Sequence, residues 1–185
     1  VDAFVAWAAE QLKADGPYES LSAAGFVHVD ANTKDPVGVV ESAPWRRFQM
    51  PAYHLKAPGR RGITLVNIGV GPSNAKNITD HLAVLRPECW LMIGHCGGLR
   101  HSQRLGDYVL AHAYLRYDAV LDRDLPVEIP IPAIAEIQIA LQDAVKRVSG
   151  DKGEALKRRL RTGTVVTHAD RNWELRYLQE ARRIN

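Results

Sequence analysis

The segment ITLVNIGVGPSNAKN, residues 63–77, decides the predicted fold. Residues 63–68 are almost continuously apolar and rich in β-branched side chains, which is typical of a strand buried on both faces. Glycines follow at positions 69 and 71, and residues 74–85 then place apolar side chains on one helical face. We therefore predict a buried strand, a glycine-rich turn and a helix, in this order.

The alternation of strands and helices continues on both sides of this segment. Two shorter strands, at 26–29 and 48–55, are predicted before it, with a loop at 29–38. We also predict strands at 90–93, 107–113 and 163–167, and helices at 1–14, 133–148 and 154–161. The strands at 63–68 and 90–93 are joined by a helix and should therefore be parallel neighbours. The pattern predicts an α/β fold with a mostly parallel central sheet.

The composition is that of an ordinary globular protein and argues against two classes of function. A formal net charge of +3 on 185 residues is too small to indicate a nucleic-acid-binding protein. No apolar run reaches the roughly 18 residues of a membrane span, so we expect neither a nucleic-acid partner nor a membrane. Cys89 and Cys96 flank the predicted strand at 90–93, which would hold them about 23 Å apart. They are then too distant to pair with each other, and two unpaired thiols indicate a cytoplasmic protein.

Glycine-rich loops follow both strands of the predicted βαβ unit, at 69–71 and at 94–98. Ligands of open α/β sheets bind at the carboxyl ends of strands, and glycine lets backbone N–H groups approach them closely. Ser73 and Asn74 begin the following helix, where backbone amides favour an anion. Neither the dinucleotide fingerprint nor a P-loop is present. Each loop alone could be an ordinary turn, but the two together favour a ligand site.

Other candidate residues each have a structural alternative. His95 could contact a sugar or phosphate, or cap its own loop. Trp173 could stack on a base or pack in the core. Arg46 and Arg47 could bind a phosphate, or they could be a surface pair. The seven histidines show no metal-ligand spacing, so no metal site is expected.

The motifs LVNIGVGPSN and LMIGHCGGLRHSQRLGDYVL resemble the purine nucleoside phosphorylase and uridine phosphorylase superfamily. Together with RLRTGTVVTHADRNWELR, they are most similar to the AMP nucleosidase family within it, and the resemblance covers residues 1–176. It implies a three-layer α/β/α fold of the nucleoside phosphorylase type and a homohexamer. It also implies hydrolysis of the N-glycosidic bond of AMP, through an oxocarbenium-like transition state. The alternatives are a nucleoside phosphorylase and a catalytically silent nucleotide-binding module.

The resemblance also implies roles for individual residues. Val70 should lie against the ribose, and His95 should occupy the place of a Ser or Thr that faces ribose and phosphate. Asn172 or Trp173 should lie near the base. Arg46 or Arg47 corresponds to an arginine that a neighbouring subunit contributes to the phosphate site. The predicted substrate-binding residues are Gly69, Val70, Gly71, Ser73, Asn74, Gly94, His95, Cys96, Gly97, Gly98, Asn172 and Trp173.

The sequence departs from the superfamily's pattern in two ways. Met92 stands where phosphorylases carry an arginine for inorganic phosphate, which favours hydrolysis by water over phosphorolysis. The family's catalytic Asp would lie beyond Asn185, so the catalytic residue is unknown. We accordingly expect residues 1–185 to be a single catalytic domain, incomplete at both ends. The resemblance implies no cofactor in this domain, and for the full-length enzyme it implies Mg-ATP as an allosteric activator and inorganic phosphate as an inhibitor.

Overall fold

The computed structural model describes residues 1–44 and 50–184. The chain divides into two compact units, Val1–Val70 and Gly71–Asn185. The elements of the first unit are α1 (Asp2–Gln11), β1 (Ser20–Ala23), β2 (Val27–Asp30), α2 (Pro36–Ser42), β3 (Ala52–Ala57) and β4 (Arg61–Val66). Those of the second are α3 (Pro72–Leu82), β5 (Tyr108–Tyr117), β6 (Ile131–Pro132), α4 (Ala135–Ser149), α5 (Gly153–Arg159), β7 (Leu160–His168) and α6 (Tyr177–Ile184). Short 3₁₀ turns at Ala83–Leu85 and Asn172–Arg176 complete the second unit.

The first unit is an antiparallel sheet of strand order β2-β1-β3-β4 with α1 and α2 packed against it. Helix α1 buries Val5, Ala8 and Leu12, whose spacing of three and four residues places them on one helical face. Strand β3 buries Tyr53 and Leu55, which share one face because strand side chains alternate. The predicted helix at 1–14 is confirmed, with its ends at Asp2 and Gln11.

Helix α2 lies where the sequence predicted a loop. The Asp35 side chain accepts a hydrogen bond from the backbone N–H of Gly38, at 2.9 Å, and Pro36 occupies the first helical position. An Asp cap followed by Pro is a helix-start signal, because the cap satisfies a free amide and Pro already has a helical φ. The loop prediction for 29–38 is therefore wrong from Pro36 onward.

The predicted βαβ unit around the opening segment is only partly present. Residues 63–68 do contribute a strand, β4, but it pairs antiparallel with β3, and Ile63 is 42% exposed. Residues 90–93 form no strand, and their side chains are exposed, from 46% for Trp90 to 80% for Ile93. The predictions of a strand at 90–93, and of its parallel pairing with 63–68, are therefore wrong for this structure. An apolar run has strand propensity, but a strand also needs a neighbour with which to exchange backbone hydrogen bonds.

The parallel βαβ unit lies instead in the second half of the chain. Strands β5 and β7 are parallel, from Tyr108 beside Leu160 to Tyr117 beside His168, and α4 and α5 connect them. Strand β6 pairs antiparallel with β5. The described strands thus form four antiparallel pairs and one parallel pair, so the first sheet is antiparallel and the second is mixed, and neither is mostly parallel. The predicted strands at 107–113 and 163–167 and the helices at 74–85, 133–148 and 154–161 are confirmed within a few residues.

None of the helices in the described parts of the chain has the length and apolar character that a bilayer crossing requires.

Candidate functional site

The carboxyl ends of the parallel strands β5 and β7 carry aromatic side chains. Tyr117 and His168 are register partners, and their ring centroids lie 5.7 Å apart in an edge-on arrangement. The Thr167 hydroxyl donates a hydrogen bond to the Asp118 carboxylate, which ties the two strand ends together. The guanidinium carbon of Arg183 lies 4.7 Å from the centre of the Tyr117 ring. This is the sheet edge at which α/β proteins commonly bind ligands.

A tight turn after β7 brings Trp173 back onto His168. The backbone N–H of Asn172 donates to the Asp170 carboxylate at 2.7 Å, and the 3₁₀ turn Asn172–Arg176 follows. The indole of Trp173 then stacks on the imidazole of His168, with ring centroids 5.5 Å apart and planes 17° from parallel. One face of the indole is thereby covered, and the side chain is half-buried.

The second glycine loop meets the edge of this indole. A Cβ atom added at Gly97 would lie 3.0 Å from Cη2 of Trp173. The φ angle of Gly97 is not in the left-handed region, so glycine is needed there for space and not for backbone freedom. At Gly98 an added Cβ would meet the Gln103 side chain, whose Oε1 accepts a hydrogen bond from the backbone N–H of Arg100 at 2.9 Å. The loop therefore holds its shape through contacts with its own next turn.

A cleft of about 300 Å³ opens between this loop and the start of α6. This volume is at the lower end of the range of small-molecule sites. Its lining residues are Gly97, Gly98, Leu99, Trp173, Glu174 and Tyr177.

The cleft contains one carboxylate, and that carboxylate is paired. Arg171 donates two hydrogen bonds to Glu174, at 3.0 and 2.9 Å. This bidentate contact lowers the pKa of Glu174, because hydrogen bonding to the charged form favours it. Glu174 is therefore ionised at neutral pH, where it can accept a hydrogen bond from a ligand but cannot donate a proton.

Cys96, in the same loop, acts electrostatically on Tyr114 of β5. Burial raises the pKa of the Tyr114 phenol, and the Cys96 sulfur adds to this effect. Tyr114 consequently keeps its proton at neutral pH. Cys89 and Cys96 are both free and exposed thiols, and His95 is exposed beside Cys96.

The first glycine loop has the backbone geometry of a tight turn into a helix. Gly69 and Gly71 have φ values of +70° and +102°, which favour glycine. The N–H of Gly69 donates to the Asn67 side chain at 3.1 Å, and Gly71 is the N-cap of α3. The division between the two units falls inside this loop, after Val70. The predicted side-by-side placement of 69–71 and 94–98 therefore stays a prediction.

The structure brings Gly97, Gly98 and Trp173 together among the predicted site residues, and it places Asn172 next to Trp173 in the 3₁₀ turn. The role of these residues in binding stays a prediction. Ser73 and Asn74 lie in the first turn of α3. Arg46 and Arg47 lie outside the described residues.

The sequence reading missed the cleft residues Leu99, Glu174 and Tyr177, and also His168 beside Trp173. His168 is the last residue of β7, one position beyond the predicted strand end. The rule that ligand groups follow the carboxyl ends of strands could have singled it out. Within residues 1–44 and 50–184, no group of three or more His, Cys, Asp or Glu side chains is arranged to hold a metal ion.

The chain is similar in sequence to a known superfamily and to a curated protein within it. The sequence model described as "Phosphorylase superfamily" matches residues 33–184. AMP nucleosidase of Escherichia coli (strain K12) is 63% identical over 186 aligned residues, which cover all of this chain and 38% of that protein. The chain thus spans well under half the length of this curated relative.

Two solved structures show the same fold. The AMP nucleosidase from Bacteroides thetaiotaomicron VPI-5482 matches 71% of this chain and 54% of its own, with a TM-score of 0.57 and 30% identity. A purine nucleoside phosphorylase from Toxoplasma gondii, in complex with immucillin-H, matches 95% of this chain and 60% of its own, with a TM-score of 0.60 and 17% identity. The second likeness bears on the fold alone. Together they confirm the predicted α/β fold of the nucleoside phosphorylase type.

Proposed function

The chain belongs to the phosphorylase superfamily, and we propose that the full-length protein hydrolyses the N-glycosidic bond of AMP to adenine and ribose 5-phosphate. The observation that carries the proposal is the 63% identity to the E. coli AMP nucleosidase along the whole chain. The cleft beside Trp173 supports it, because it combines an aromatic side chain with a glycine loop.

In this proposal the cleft between Trp173 and the 94–98 loop receives the nucleotide. The indole supplies a flat apolar surface for the purine, since aromatic rings stack favourably at close range. Gly97 has no side chain, which lets the 94–98 loop pack directly against the edge of that indole and form the other wall of the cleft. Glu174, held as a carboxylate by Arg171, accepts a hydrogen bond from the ligand.

The reaction needs a second group, which protonates adenine as the glycosidic bond breaks. A proton on N7 makes adenine a better leaving group, while water attacks the positively charged ribose carbon. Glu174 cannot supply that proton because its pKa is lowered, and Tyr114 holds its proton too tightly because its pKa is raised. The family resemblance implies an Asp beyond Asn185 as the acid, and the proposal takes that residue as the proton donor.

The phosphate of AMP and the quaternary structure are further parts of the proposal. Arg46 or Arg47 would bind the phosphate across a subunit interface of a homohexamer, and Mg-ATP and inorganic phosphate would activate and inhibit the full-length enzyme. Light scattering after gel filtration measures the oligomer. Rates measured with and without Mg-ATP test the activation. The cytoplasmic location stays a prediction.

The decisive experiment is to incubate the full-length protein with AMP in phosphate-free buffer. Stoichiometric release of adenine and ribose 5-phosphate is the expected result. Release only after phosphate is added would identify a phosphorylase. Met92, which replaces the arginine of the phosphorylases, argues against that outcome. Binding of AMP without any release of adenine would identify a catalytically silent binding module.

A further inference from the structure

His168 occupies the centre of a row of aromatic contacts at the carboxyl end of the parallel strands. Its imidazole meets the edge of Tyr117 on one side, at 5.7 Å, and the face of Trp173 on the other, at 5.5 Å. Tyr117 is itself held, because it is paired with His168 in the β5–β7 register and because Arg183 lies over its ring. The imidazole therefore rests on a strand end that has contacts on several sides.

Trp173 is held differently, because it does not belong to the sheet. It lies in a 3₁₀ turn of five residues, Asn172–Arg176, beyond the end of the sheet. The imidazole covers one face of the indole, and Gly97 lies at the edge of its six-membered ring. Gly97 meets only the ring edge, whereas the imidazole of His168 lies along the ring face and therefore favours one angle of the indole plane.

We propose that His168 is a positioning residue that holds the indole of Trp173 at the angle required for a purine to enter the cleft. This inference rests on the proposed function, because it takes Trp173 as the surface on which the base stacks. His168 itself does not line the cleft, and it acts only through Trp173. Stacking needs a flat ring at position 168, so any planar aromatic side chain of similar size should serve.

The test compares His168→Ala, which removes the ring, with His168→Phe, which keeps a ring and removes the imidazole nitrogens. His28→Ala is the matched control, because His28 is an exposed strand histidine in the first unit. All variants are made in the full-length protein. A positioning contact that acts on ground-state and transition-state binding alike changes KM and leaves kcat nearly unchanged.

We expect His168→Ala to raise KM for AMP about three- to tenfold, the effect of losing one aromatic pair. The kcat should change by less than about twofold. His168→Phe should restore KM to near the wild-type value, and His28→Ala should leave both constants unchanged. A wild-type KM in His168→Ala, or a His168→Phe variant as impaired as His168→Ala, would overturn the proposal.

A spectroscopic measurement separates this inference from the proposed function. The fluorescence of Trp173 is obtained by subtracting the emission of Trp173→Phe from that of the wild type, and the same subtraction is made in the His168→Ala background. Loss of the stacked imidazole should change the intensity or wavelength of this difference spectrum, whether or not AMP is hydrolysed. An unchanged difference spectrum would show that His168 does not hold the indole. A changed spectrum in a protein that does not hydrolyse AMP would refute the proposed function and leave the positioning intact.

Discussion

Replacing Gly97 by Val should close the cleft by displacing Trp173. The added Cβ would lie 3.0 Å from Cη2 of the indole, whereas carbon atoms pack best at about 3.5–4.0 Å. The two methyl groups of Val extend further from the backbone, so the indole must move further than it would to make room for the Cβ atom alone. The backbone adds no penalty, because φ at Gly97 is not left-handed.

The size of the effect follows from the cost of overpacking. Forcing an extra side chain into an occupied space costs about 1–3 kcal/mol. The half-buried indole gives way more easily than the backbone, so most of this cost should appear as a displaced Trp173 and a weaker ligand site. At tenfold per 1.4 kcal/mol, AMP affinity should fall about 5- to 140-fold. Gly97→Ala should have a smaller effect, because Trp173 has to move by only a few tenths of an ångström.

The assay is isothermal titration of AMP into the full-length protein, with a thermal melt of each variant to establish folding. Gly163→Val is the matched control: Gly163 lies in β7, and an added Cβ there would meet no atom within 4 Å. Trp173→Ala provides a second check, because Gly97→Val should lower AMP affinity by a smaller factor once the indole is absent. A folded Gly97→Val protein with wild-type AMP affinity would refute the argument. An effect of undiminished size in the Trp173→Ala background would show that the indole is not what the new side chain meets.

Three further predictions concern other residues of the second unit. His95→Ala should lower kcat for AMP at least about tenfold, the effect of losing one hydrogen bond to a charged group in the transition state, with an unchanged melting temperature; wild-type turnover would contradict a role for His95. Arg116→Ala should destabilise the protein by about 1–3 kcal/mol in urea unfolding, because the buried Arg116 donates to the carbonyl of Leu125 at 2.9 Å; an unchanged midpoint would contradict this. Arg171→Ala should raise the pKa of Glu174 toward its ordinary value in an NMR titration, because the Arg171 hydrogen bonds lower that pKa. The hydrogen bonds between Arg171 and Glu174 should stabilise the protein above the ordinary glutamate pKa, and this stabilisation should be lost as the pH falls through the lowered pKa. Identical Glu174 titrations in the two proteins would show that Arg171 does not lower that pKa.

The elements that the sequence predicted well are those whose pattern is local. The stripe of α4 repeats every three to four residues, and Ile137, Leu141 and Val145 are half-buried in the structure. Strand β7 and helix α3 were likewise indicated by their own residues and by the turns that follow or precede them. Such patterns persist in any tertiary context, because they reflect the geometry of the helix and the strand themselves.

The missed helix α2 had a local start signal at Asp35 and Pro36, whereas the errors at 63–68 and 90–93 concern properties that depend on a partner elsewhere in the chain. The apolar runs at 63–68 and 90–93 have the same composition as a buried parallel strand, but one became an antiparallel strand with exposed Ile63 and the other formed no strand. Burial and pairing direction depend on which strand lies alongside, and a short apolar run contains no information on that.

The superfamily, the main helices and the glycine loops could be identified from the amino-acid sequence, because each depends on contiguous residues. The folded chain was needed to show that Gly97 lies against Trp173, that His168 stacks on the same indole, and that Glu174 lines the cleft beside them. These residues come from two segments far apart in the chain. The register of β5 and β7 sets His168 beside Tyr117, and the approach of Gly97 to Trp173 is a further non-local contact that no single segment encodes.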